Sequence, residues 1–123
     1  MQIPRPSDDV KEFFRSVVPE APGVVVKPMF GNLGAFVNGN MFAGLFGEDL
    51  FVRLPDAEAA AVRRDGGRDF EPMAGRAMKG YVLVPADWRA RPQAVAPLVE
   101  RALDVTSRMP AKEQKKPARS RKA

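Results

Sequence analysis

An Asn38-Gly39 pair stands between two apolar runs, Leu33-Gly34-Ala35-Phe36-Val37 and Met41-Phe42-Ala43-Gly44-Leu45-Phe46. Both residues tolerate positive φ, so the pair predicts a tight hairpin turn whose twist matches that of the strands it joins. The flanks extend the pattern. Val24-Val25-Val26-Lys27-Pro28-Met29-Phe30 is β-branched and extended, with Pro28 marking a sheet edge or a bend. Gly47-Glu48-Asp49 turns the chain into Leu50-Phe51-Val52-Arg53-Leu54. Strands this closely spaced form an antiparallel meander, because parallel neighbours need long crossovers.

Helical signals surround the meander. Ser7-Asp8-Asp9 supplies a cap and first-turn acids for a helix whose apolar stripe is Val10, Phe13, Phe14, Val17 and Val18, ended by Pro19. A second helix starts at Pro55-Asp56, runs through an alanine-rich stretch and stops at Gly66-Gly67. Phe70 and Met73 mark a short strand, and Met78 to Pro85 a longer one. The last helix runs from Arg91-Pro92 to about Ser107, with Val95, Leu98, Val99, Ala102, Leu103 and Thr106 on one side. The expected fold is α+β. Its order is helix, three or four strands, helix, one or two strands, helix, with an antiparallel sheet of about five or six strands and helices mainly on one face.

The 123 residues allow one core. Zero histidines and zero cysteines exclude a Ser-His-Asp triad, a Cys-His pair, thiol chemistry and the usual zinc ligand sets. No apolar run approaches the roughly 18–20 residues of a membrane span, and no secretory leader is apparent. The expected compartment is the cytoplasm, with no membrane partner and no cofactor.

The net charge of +5 is unevenly spread. From Arg108 to Ala123 there are seven basic residues against one acid, a net +6, which leaves residues 1–107 at −1. The composition therefore divides the chain into a body, 1–107, and a basic tail, 108–123, expected to be disordered. Lys112, Lys115, Lys116, Arg119, Arg121 and Lys122 of that tail are candidates for sequence-independent nucleic-acid contact through counterion release. The competing reading is a solubilising terminus.

Within the body, short glycine motifs lack phosphate-binding context. Gly31-Asn32-Leu33-Gly34 leads into a strand where a helix would be needed, and Gly75-Arg76-Ala77-Met78-Lys79-Gly80 lacks the Gly-Lys-Ser/Thr ending. Glu48 and Asp49 are adjacent turn acids, and no residue is singled out as catalytic or metal-binding. Arg53, Arg76 and Lys79 lie on or beside strands and would form an anion or ligand contact if they cluster. Strict alternation puts Phe51 opposite Leu50, Val52 and Leu54, and Phe42 and Phe46 opposite Met41, Ala43 and Leu45. Phe36, Phe42, Phe46 and Phe51 are thus candidates for a second apolar face. It would be covered by helices or the N-terminal segment, or else serve as a homodimer interface or apolar ligand site.

The stretch Pro28-Met29-Phe30-Gly31 through Asn38-Gly39-Asn40-Met41-Phe42-Ala43, followed by Leu50-Phe51-Val52-Arg53 and by Tyr81 and Pro85, resembles the TfoX N-terminal domain family. The resemblance covers roughly residues 10–107 and implies a compact α+β domain with an antiparallel sheet backed by helices. In the family's namesakes, regulators of natural competence, a second domain follows; here the expectation is a stand-alone domain. The family implies no agreed catalytic residues. Three readings follow: a non-enzymatic regulatory or interaction module with a protein partner, a nucleic-acid-binding accessory protein using its tail, or a small enzyme or ligand-binding protein with a site on the sheet.

Overall fold

The computed structural model describes residues 5–29, 32–71 and 78–110. Phe30, Gly31, Met73, Arg76 and the tail beyond Pro110 lie outside these ranges. Helix α1 (Asp8–Val17) leads into β1 (Val24–Met29), β2 (Asn32–Val37), β3 (Asn40–Phe46) and β4 (Asp49–Arg53). Helix α2 (Asp56–Arg64), β5 (Arg68–Asp69), β6 (Tyr81–Leu83) and α3 (Pro92–Ser107) complete the order, with a single 3-10 turn at Trp88–Ala90 before α3. The fold is α+β, and its sheet is fully antiparallel with strand order β1-β2-β3-β4-β6-β5. The meander therefore holds through four strands, and β6 then inserts between β4 and β5.

Local chemistry explains the elements. Ser7 caps α1 by accepting a hydrogen bond from the Val10 N–H at 3.3 Å. Asn38 and Gly39 turn the β2–β3 hairpin at φ 52° and 83°, the paired positive values the Asn-Gly signal predicts. Pro92 opens α3, where its missing N–H costs nothing. Among the described residues no helix is long and apolar enough to cross a membrane.

All three helices pack on one face of the sheet. Val10 and Phe14 of α1, Ala59 and Val62 of α2, and Val95, Val99 and Ala102 of α3 share a core with Leu45, Leu50, Val52 and Val82 of the strands. Trp88, 1 % exposed, closes one end of this core. Its ring meets Phe13 edge-on at 5.6 Å, and its Nε1–H donates to the Glu48 carbonyl at 3.0 Å. It thereby anchors the loop before α3 to the β3–β4 turn.

A bulge in β3 breaks the simple alternation. Ala35 pairs with Ala43 but Phe36 pairs with Met41, so Phe42 is an extra residue on its strand. Phe42 and Ala43 consequently both enter the helix-side core, and Met41 turns to the other face. The expectation that Phe42 lies with Phe46 is therefore corrected. Strict alternation assumes an unbulged ladder, and one extra residue inverts every side chain on one side of it.

On the face away from the helices, Phe51, Phe70, Tyr81 and Leu83 form a second apolar cluster, flanked by Met41 and Phe46. Phe51 and Phe70 stack at 4.2 Å between centroids, and Tyr81 meets Phe51 edge-on at 5.6 Å. Gly34 and Gly44 are paired across β2 and β3; Gly44 makes room for Phe51, and Gly34 for Phe36 and Met41. A Cβ on Gly44 would stand 2.5 Å from Phe51 Cζ and 3.1 Å from the Leu33 carbonyl oxygen. Gly44→Ala is thus expected to destabilise the fold by about 1–3 kcal/mol through overpacking. Adding Phe51→Leu should recover part of that loss in a denaturant-unfolding double-mutant cycle; strictly additive effects would show that the ring is not what the glycine accommodates.

Candidate functional site

The register fixes which side chains share the outer face. Val25, Phe36 and Met41 lie opposite one another in one row across β1, β2 and β3, and Arg53 and Tyr81 are paired across β4 and β6. A neighbouring row runs Lys27, Gly34, Gly44, Phe51, Leu83, Arg68. The two halves of this face differ. Around β4, β6 and β5 it is filled by the protein's own rings, and Phe51 is only 1 % exposed. Toward β1 and β2 it is open: Val25 is 52 % exposed and Phe36 is half-buried.

Of the four phenylalanines singled out from the sequence, the structure places Phe36, Phe46 and Phe51 on the outer side and Phe42 in the core, 0 % exposed. Phe42 is thus corrected out of the candidate interface by the bulge. Phe46 and Phe51 spend their surface on each other's neighbour, Phe70. Only Phe36 retains accessible ring surface without an aromatic partner among the described residues. The Lys27 ammonium lies 4.7 Å from its centroid, a cation–π contact worth about 0.5–1 kcal/mol when exposed.

Arg53 is held in a short hydrogen-bonded chain. Its Nη1 donates to the Tyr81 hydroxyl at 3.0 Å, and that hydroxyl donates to the Met41 carbonyl at 2.9 Å. The guanidinium also sits 5.2 Å from the Tyr81 ring centroid. Among the described residues it has no carboxylate partner, so most of its five N–H donors stay available. Lys79 is exposed in the turn that precedes β6, and the following Gly80 lies beside the guanidinium, 3.9 Å from its Cζ at the Cβ position. Arg76, the third member of the expected anion contact, lies outside the described residues, as do Lys112, Lys115, Lys116, Arg119, Arg121 and Lys122.

On the helix side several arginines are paired, Arg91 with Asp65 and Asp87, Arg101 with Glu58 and Asp104, Arg108 with Asp104 and Arg63 with Asp69, while Arg15 and Arg64 have no carboxylate partner among the described residues. On the outer side Arg68 is paired with Asp49, and Lys27 and Arg53 have no carboxylate partner among the described residues, nor has Lys79 in its turn. Sequence reasoning missed Lys27, because its contact with Phe36 depends on which face the charge occupies. The one missed signal was Lys27's parity with Val25 along β1.

Glu48 and Asp49 do not converge on a common point. The Glu48 carboxylate accepts from the Ser7 N–H and pairs with Arg89, and Asp49 pairs with Arg68 at 2.9 Å. Among the described residues no group of three or more metal-ligating side chains could hold an ion. A groove of about 380 Å³ opens between α2 and α3 over Val62, Trp88, Val95 and Leu98, rimmed by Glu58 and Arg91. A smaller one of about 260 Å³ lies between the end of α1 and β1, over Val18, Val24 and Val26. Neither is lined by Arg53 or Lys79.

The open edge of β1 is blunted. The Asn38 N–H bonds the Gly23 carbonyl, so the alternation of the ladder turns Val24, Val26 and Pro28 outward. Pro28 has no N–H, and the Val24 N–H is already used by the Ala21 carbonyl. Only Val26 offers a free donor along this edge, too little to template an added strand.

Two measurements check these placements. Phe42→Ala should cost about 3–5 kcal/mol of stability, as for a buried core ring, and Phe36→Ala about 1 kcal/mol, as for a ring only half removed from water; similar costs would contradict the bulge. The second concerns Glu58, whose carboxyl is held below the usual carboxylate range by hydrogen bonds from Arg101. A lowered folded pKa adds stability above the unfolded pKa and loses it as pH falls through the folded value. Glu58→Gln should therefore lower Tm at neutral pH, and the difference from the parent should vanish on acidification.

A model of the TfoX N-terminal domain matches residues 17–106 of the chain. No curated protein matches it.

Proposed function

The chain belongs to the TfoX N-terminal domain family, and from that premise we propose that it is a non-enzymatic regulatory or interaction module working through the outer sheet face. The observation that carries this reading is the outer face itself. Toward β1 the Lys27 ammonium lies against the half-buried ring of Phe36, and on β4 Arg53 stands without a carboxylate partner among the described residues. The core does not need these side chains to face solvent in this way, since the helices cover the opposite side.

The absence of histidine and cysteine from the sequence supports binding over catalysis. So does the separation of Glu48 and Asp49 onto different cationic partners. The same lack of cysteine favours a cytoplasmic location.

Affinity capture from extracts of the source cell, run with and without nuclease treatment, tests the reading, with the full chain and two variants as baits. Lys27→Glu/Phe36→Ser alters the outer face, and Arg64→Glu alters an exposed cation on α2. Proteins retained by the parent and by Arg64→Glu, and lost from the outer-face variant, are the expected result. Equal recovery on all three baits, with each variant folded by circular dichroism, would remove the outer face as the contact surface. Light scattering on the same three proteins shows whether the partner is a second copy of the chain.

A further inference from the structure

The outer face has the elements of a site for a single-stranded polyanion carrying flat bases. Phe36 supplies an accessible aromatic ring, Val25 extends it with apolar surface, and Lys27 stands over the ring. Two strand spacings away, about 10 Å, the Arg53 guanidinium is fixed by Tyr81 with donors to spare. Single-stranded nucleic acid is recognised by such pairings, with bases stacked on aromatic faces and phosphates on neighbouring cations. An acidic peptide would satisfy the cations but would leave the ring without a flat partner.

We propose that this face binds single-stranded nucleic acid, with a base stacked on Phe36 and phosphates taken by Lys27 and Arg53. The proposal rests on the reading of the outer face as the contact surface and names its partner. Binding exchanges one contact for two. The Lys27 ammonium leaves the ring for a phosphate oxygen, and the base takes its place over the ring. Arg53 does not move, because Tyr81 and the Met41 carbonyl hold it.

The basic tail is a separate source of affinity. The Pro110 carbonyl accepts a hydrogen bond from Asn40 Nδ2 at 3.0 Å, and Asn40 pairs with Val37, whose side chain lies in the helix-side core. Thirteen further residues follow, and their cations raise affinity for any polyanion without selecting a single strand.

The test separates face from tail in the full-length chain. Fluorescence anisotropy is read with a labelled oligothymidine of about 15 nucleotides and with a duplex of equal length, at about 50 and 200 mM salt. The parent is compared with a chain whose six tail residues Lys112, Lys115, Lys116, Arg119, Arg121 and Lys122 are changed to Gln. The expected result is weaker binding with the preference for the single strand intact.

On that background, Phe36→Leu keeps the apolar packing but removes the stacking face and should weaken single-strand binding roughly tenfold, while Phe36→Tyr restores it. Arg53→Gln should lower the salt slope by about one. Arg64→Gln on α2 should change neither. Equal affinity for strand and duplex, loss of all binding on tail neutralisation, or indifference to Phe36→Leu would each overturn the proposal. If that happens while nuclease-treated capture still depends on Lys27 and Phe36, the interaction reading stands and only the nucleic-acid partner is lost.

Discussion

One extra residue in β3 governs both sides of the sheet. A strand has a side-chain period of two, so inserting Phe42 between the pairs Ala35–Ala43 and Phe36–Met41 shifts the parity of everything before it. On the helix side this delivers Phe42 to the core beside Ala43, where a large ring lies next to a small residue. On the other side it places Met41 against Tyr81, whose hydroxyl bonds the Met41 carbonyl and receives Arg53. The orientation of the arginine is thus a distant result of strand register.

The outer face then divides according to where the chain can fill it from within. Gly34 and Gly44 leave a depression, and the Phe51 ring lies over Gly44, stacked in turn on Phe70. A substituted carbon at Gly44 would expel the ring, so the glycines are part of the packing and not merely flexible points. Toward β1 the Phe36 ring lies over Gly34, and its contact on that side is the ammonium of Lys27. At the edge itself, Pro28 and the occupied Val24 N–H discourage strand addition. Face and edge therefore have opposite dispositions: the edge is protected from pairing, and the face beside it is left open.

Much of the fold was legible because its signals are local. The Asn38-Gly39 turn, the Ser7 cap and the stripe Val10, Phe14 each depend on residues within a few positions of one another. The bulge at Phe42 was not legible, since a bulge is a property of two strands in register and alternation treats each alone. The short strand at Arg68–Asp69 is defined by its pairing with Val82 and Leu83, which the apolar residues after it do not announce, and Met73 lies outside the described residues. Arg53 and Lys79 could be named from their strand positions, but nothing in the sequence told that Tyr81 would hold the guanidinium.

Charge was the least legible property, and the reason is geometric. A body of net −1 looks featureless beside a tail of +6. Yet net charge sums over faces that do not screen one another equally. On the helix side Glu58, Asp65 and Asp104 are spent on arginines of α3 and its approach. Those acids are unavailable to Lys27 and Arg53, which the sheet holds on its far side. Near-neutrality of the body is therefore compatible with unpaired cations on the outer face, at Lys27 and Arg53. The tail and the face need not be rival explanations: one supplies attraction without selectivity, and only the other has a ring that can select.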